Sequence, residues 1–199
     1  MRGGSHKAER HRRRDEKQPP DAGRQDGAGM AKTNVVLIGM PGAGKSTVGV
    51  VLAKKLGYRF IDSDILIQEK EGRKLSEIIR DEGTDGFLAI EDRVNSEIRT
   101  DRCVVATGGS AVYGEAAMRN LKSIGVAVYL WESCENLQKR LGNLKDRGVA
   151  LKDGQTLEDL YRERCPLYEK YADITIRETS FDIADTVNEI CAQLEQFAE

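Results

Sequence analysis

The stretch Gly39-Met-Pro-Gly-Ala-Gly-Lys-Ser-Thr47 combines the groups needed to hold a polyphosphate. Its glycines let the backbone turn sharply and present N–H groups to phosphate oxygens. Lys45 is placed to reach the β- and γ-phosphates, and the Ser46 hydroxyl can hold Mg²⁺. The match to GxxxxGK[ST] is complete, so Gly42, Ala43, Gly44, Lys45, Ser46 and Thr47 are assigned to ATP, with Mg²⁺ beside it. Such a loop specifies a nucleotide rather than a reaction. No Asn-Lys-x-Asp segment for reading guanine accompanies it, which disfavours a GTPase switch.

Three further clusters could supply an acceptor side. Phe60-Ile-Asp-Ser-Asp64 ends in two carboxylates one residue apart. Alternation along an extended chain would point Asp62 and Asp64 the same way, one toward a metal's water shell and one toward a substrate hydroxyl. Two solvated aspartates capping a helix at Ile65 would read the same. Thr107-Gly-Gly-Ser110 is a glycine-rich turn, and Arg164-Cys-Pro-Leu-Tyr168 places an arginine late in the chain. Both histidines, His6 and His11, lie in the first eleven residues. After them no imidazole is available as base, phosphate carrier or metal ligand, so a proton acceptor must be a carboxylate.

The elements that would position these groups alternate. Short apolar runs read as buried strands at Asn34–Gly39, Tyr58–Asp62, Cys103–Thr107, Val126–Leu130 and Asp173–Ile176. Helical spacing marks Lys45–Leu56 (Val48, Val51, Leu52, Leu56), two or three helices within Ile65–Arg99 (Leu75, Ile78 and Ile79 on one face), Glu115–Lys122, Cys134–Leu141 and Thr156–Tyr168. A last helix after Ser180 aligns Ile183, Val187, Ile190, Leu194 and Phe197. The pattern predicts one α/β domain over residues 30–199, a parallel five-stranded sheet with helices on both faces. The polar, glycine-containing segment 142–155 is expected to be a mobile lid.

Composition sets outer bounds. Residues 1–29 are rich in Arg and Lys and nearly devoid of large apolar side chains, so they are expected to be a disordered basic tail or a vector leader, with Met30 a natural start. No aromatic residues interleave with those charges, which argues against a nucleic-acid arm. No apolar run approaches the ~20 residues that span a bilayer, and a cytoplasmic protein without membrane or nucleic-acid partners, working on a small molecule as a monomer, is expected. Cys103, Cys134, Cys165 and Cys191 are widely spaced and read as reduced, packed thiols.

Taken together, the phosphate loop, the FxDSD segment, the G-x-x-x-F-x-x-x-E helix, the TGG turn, a lid arginine and R-x-P-x-Y resemble the shikimate kinase family over residues 33–199. The resemblance implies a nucleoside-monophosphate-kinase-like, three-layer P-loop fold and transfer of the ATP γ-phosphoryl group to the 3-hydroxyl of shikimate, in aromatic amino-acid biosynthesis. It implies Mg²⁺ support through water for Asp62, and for Asp64 the orientation of the attacking hydroxyl with acceptance of its proton. Gly108 and Gly109 would line the substrate site with backbone N–H groups, Arg140 would lie near the adenine, Arg147 would close on the phosphates, and Arg164 would grip the substrate carboxylate. Without the resemblance, Arg147 reads as a solvated loop charge and Arg164 as a cation near helix-terminal carbonyls.

Three positions depart from the family's pattern. Leu88 stands where an arginine usually shares the shikimate carboxylate, Ser110 replaces a third glycine, and Arg147-Gly-Val-Ala150 replaces a stiffer Arg-Pro-Leu-Leu. Losing a charged fork weakens carboxylate binding by ~30- to 1000-fold unless another cation, Arg80 or Arg93, takes its place. The alternatives are therefore a sister kinase acting on another hydroxy-carboxylate or hydroxy-amino acid, such as a gluconate-type or homoserine-like acceptor, and a non-catalytic ATP-binding regulatory module. A nucleoside monophosphate kinase would carry more acceptor-side arginines, and this chain has lost one.

Overall fold

The computed structural model describes residues 32–141, 154–177 and 182–198. Residues 1–29 and most of the expected lid, with Arg147, lie outside the described residues. Five strands, β1 (Asn34–Ile38), β2 (Arg59–Asp62), β3 (Cys103–Ala106), β4 (Gly125–Trp131) and β5 (Ile174–Arg177), form one parallel sheet in the order β2-β3-β1-β4-β5. The connecting helices are α1 (Lys45–Leu56), α2 (Ser63–Glu71), α3 (Leu75–Ser96), α4 (Glu115–Ile124), α5 (Cys134–Leu141), α6 (Leu157–Tyr171) and α7 (Ile183–Ala198), and they cover both faces. Every described crossover thus joins parallel strands, as the alternating pattern requires.

The strands nearest the middle behave as their sequences predict. β1 and β3 are wholly buried, and β4 nearly so. β2 and β5 are not the fully buried strands the apolar reading predicts. Each is an edge strand with exposed positions, because nothing pairs with its outer side. Asn34, buried at the start of β1, donates to the Thr100 and Ile124 carbonyls and accepts from Cys103 N–H, tying the strand ends together.

Two helical stripes are narrower than their spacing suggests. In α1, Val48 and Leu52 are buried and Leu56 packs on the core, but Val51 is exposed. In α7, Val187 and Ile190 are buried and Leu194 packs on the core, while Ile183 and Phe197 at its ends are exposed. The span 65–99 resolves into α2 and a long α3 broken at Gly83, whose φ of 70° interrupts the helix. These two helices bury a small cluster of their own, Ile67, Ile78, Phe87 and Val94, separate from the main core around the sheet. The four thiols are unpaired and at least partly buried, and burial pushes each of them up from its ordinary pKa. No helix among the described residues is long and apolar enough to cross a membrane.

Candidate active site

In a parallel sheet, ligands gather at the carboxyl ends of the strands, where neighbouring connections diverge. The loops leaving β1, β2 and β3 all open there. A cavity of about 750 Å³ lies at the opposite end, between the start of β1, the end of α1 and α7 (Asn34, Leu56, Tyr58, Cys191, Phe197). It contains none of the phosphate-loop residues and is not the reaction site.

The loop after β1 is shaped for anions. Gly44 caps α1 in the left-handed region (φ 85°), a conformation glycine adopts without strain, so α1 begins at Lys45 with its first N–H groups turned into the loop. Lys45 is buried, and its Nζ donates to the Gly39 carbonyl at 2.7 Å and the Met40 carbonyl at 2.9 Å. Burial pulls its pKa down to about 8, opposed first by the nearby Asp64 carboxylate. On the far side of the loop, Arg140 of α5 ion-pairs with the buried Glu132 at 3.0 Å and reaches the Gly42 carbonyl.

Asp62 and Asp64 are not presented by strand alternation. β2 ends at Asp62 and α2 begins at Ser63, so the two carboxylates diverge at a helix start. Asp62 Oδ1 caps α2, accepting from the N–H groups of Asp64 and Ile65, while its Oδ2 accepts from Ser46 Oγ at 2.7 Å. The capping reading is therefore met by Asp62, whose second oxygen also lies against Ser46. Asp64 faces inward, where burial and the Asp62 charge raise its pKa to about 6 against the pull of Lys45.

The turn after β3 closes the pocket from the other side. A methyl group on Gly108 would lie 2.3 Å from Glu91 Oε1 and 2.7 Å from Asp64 Oδ1, and one on Gly109 would lie 2.6 Å from Pro41 Cδ. The glycines are thus required by the close approach of two carboxylates and the phosphate loop. Gly108 does not offer a free N–H, contrary to expectation, because Ser63 Oγ accepts it at 3.1 Å. Gly109 is fixed through its carbonyl, which accepts from Tyr168 at 2.6 Å.

Arg164 of α6 is buried, donates from Nε to the Tyr113 hydroxyl at 3.2 Å and lies over that ring. Its charge acts on both Lys45 and Glu91, which places it at the same pocket. Arg80 and Arg93 do not replace the missing cation. Arg80 pairs with Asp81 and Arg93 with Glu71, and both are at least half exposed. Leu88 instead packs on the α2–α3 cluster. Residues that the sequence did not assign are Ser63, Tyr113, Tyr168 and Glu91. Glu91 was legible only as the acid closing the G-x-x-x-F-x-x-x-E pattern, on a helix face otherwise turned to the core.

The shikimate kinase family model matches residues 41–195. The chain belongs to the shikimate kinase family. A shikimate kinase of Vibrio parahaemolyticus is 37% identical over 168 residues, 83% of this chain and 98% of that one. One from Haemophilus influenzae is 40% identical over 164 residues, 80% of this chain and 91% of its own length. Among solved structures, the shikimate kinase from Acinetobacter baumannii in complex with shikimate superposes with a TM-score of 0.76 at 35% identity, covering 82% of this chain and 93% of that one. As in any shikimate kinase, the fold is that of a P-loop kinase. This member of the family holds Lys45, Asp64 and Arg164 around one glycine turn that ends at Ser110, with Leu88 packed on the α2–α3 cluster.

Proposed function

We propose that this chain transfers the γ-phosphoryl group of ATP to a hydroxyl of shikimate. The observation that carries the reading is the meeting of Lys45, Asp64 and Arg164 at the glycine turn, in a chain of the shikimate kinase family. Arg164 binds the acceptor's carboxylate, and Asp64 takes a hydrogen bond from the attacking hydroxyl. That oxygen bonds to phosphorus as the bond to the ADP oxygen breaks, and the proton passes to Asp64. A carboxylate with a pKa near 6 is ionised at neutral pH yet basic enough to receive it. Lys45 exchanges its loop carbonyls for phosphate oxygens and stabilises their charge as transfer proceeds. Arg140 is assigned to the adenine side, Gly108 and Gly109 to the acceptor wall, and Arg147 to the phosphates.

Magnesium fits the oxygen pair Ser46 Oγ and Asp62 Oδ2, hard donors beside the phosphate loop, since Mg²⁺ keeps several waters and needs few protein ligands. Bound there with the nucleotide, it would neutralise charge on the phosphate oxygens.

A coupled ADP-release assay against shikimate, gluconate, homoserine and threonine tests the reading, with turnover expected on shikimate. Preference for another acceptor would overturn it. One missing cation has a measurable effect. The shikimate KM is expected to exceed that of a relative carrying arginine at this position, and Leu88→Arg should lower it by about tenfold or more. Lost packing on the α2–α3 cluster should reduce stability by only about 1 kcal/mol. An equally low wild-type KM would mean that another group already does the arginine's work.

A further inference from the structure

Glu91 is 1% exposed, and neither carboxylate oxygen meets a hydrogen-bond donor at proper geometry among the described residues. Buried polar atoms in that condition are uncommon and costly to a fold, so this one calls for a ligand. Its position says which ligand. A methyl group on Gly108 would meet Glu91 Oε1 first and Asp64 Oδ1 next, so both acids border the same turn. The groups that face it are Asp64 from α2, Lys45 from α1, Arg164 and Tyr168 from α6, and Ser110 from the turn, whose hydroxyl is near enough to favour the charged form more than either cation does. On its own helix, Asn95 binds only its backbone carbonyl, and Leu88, one turn earlier, offers no donor.

We propose that Glu91 is a proton-coupled determinant of acceptor affinity, carrying a proton when an anionic acceptor is bound and sharing a hydrogen bond with that acceptor. The inference rests on the proposed acceptor being a carboxylate. Charge makes the case. Two cations and two acids share the pocket, so with Glu91 ionised an incoming carboxylate adds unbalanced negative charge. Once that carboxylate pairs with Arg164, it also screens the cation that most helps Glu91 stay ionised. Both effects move a proton onto Glu91. Burial already lifts its pKa to about 7, so the uptake falls within the working range. A protonated carboxyl is then both donor and acceptor, matching a hydroxyl-bearing ligand.

Shikimate binding measured by calorimetry between pH 6 and 9, in buffers of different ionisation enthalpy, tests this. Shikimate's own carboxyl stays ionised throughout. The wild type is expected to take up close to one proton per shikimate at pH 8, with affinity falling up to about tenfold per pH unit above 7. Glu91→Gln should lose proton uptake at pH 7 and keep a flat profile up to about pH 7.5, near the wild-type affinity at pH 6, with any slope confined to the range where Lys45 loses its proton. Glu91→Leu should bind about tenfold more weakly at pH 6, having lost the hydrogen bond. A flat wild-type profile overturns the proposal and needs no variant to fold. A slope of wild-type steepness between pH 7 and 8 in Glu91→Gln overturns it too, by placing the proton on another group. If shikimate binds none of the three proteins at any pH, the acceptor assignment fails and takes this inference with it. Binding without proton uptake counts against Glu91 alone.

Discussion

Lys45→Ala is expected to reduce kcat by about a thousandfold or more while the protein stays folded. The ammonium is buried against two carbonyls of its own loop, just past the carboxyl end of the central strand. No apolar contact of the core depends on it. What disappears is a fixed charge aimed at the transferring phosphoryl group, a contribution of several kcal/mol in a site that excludes water. Steady-state rates together with a thermal melt separate the two effects. Near-normal kcat would mean the loop is not the phosphate site, and a collapsed melting temperature would mean the lysine is chiefly structural.

Asp64→Asn should lower kcat by roughly a hundredfold or more with little change in ATP affinity, because it removes a positioned base and leaves the phosphate loop untouched. Asp62→Asn should behave differently. Asparagine can still cap α2 through its side-chain oxygen, so the helix survives. The anionic oxygen beside Ser46 Oγ is lost, and the Mg²⁺ concentration for half-maximal activity should rise. Identical magnesium titrations for the two variants would refute this division, which follows from one carboxylate facing Ser46 and the other facing Gly108.

The divergence of those two carboxylates shows where sequence reading stops. Strand and helix periodicity located the five strands and the helices outside 65–99 to within a few residues, since five apolar runs between amphipathic ones leave few arrangements. The phosphate loop was equally legible, because its spacing is a local property of one strand, one turn and one helix start. The acceptor side was less so. Whether Asp64 continues β2 or opens α2 depends on where capping begins, and Asp62 decides that with its own side chain. That Gly108 gives its N–H to Ser63 depends on contact between a turn and a helix start 45 residues apart. Nor could spacing show that Arg80 and Arg93 face outward to Asp81 and Glu71, or that an acid on α3 is sealed against the glycine turn. These are facts of packing between distant segments.

The small cluster beneath α2 and α3 has a bearing on how Asp64 and Glu91 are held. Ile67, Ile78, Phe87 and Val94 are the only buried apolar side chains of these two helices among the described residues, apart from the core that holds the sheet and the phosphate loop. A unit with so little buried apolar surface opens at a lower free energy than the sheet, so amide hydrogens of α2 and α3 should exchange sooner than those of β1 and β4. None of these four belongs to the phosphate loop, and the two helices that bury them also carry Asp64 and Glu91. Changes confined to that cluster would therefore shift how Asp64 and Glu91 are held, while the contacts within the phosphate loop stay in place.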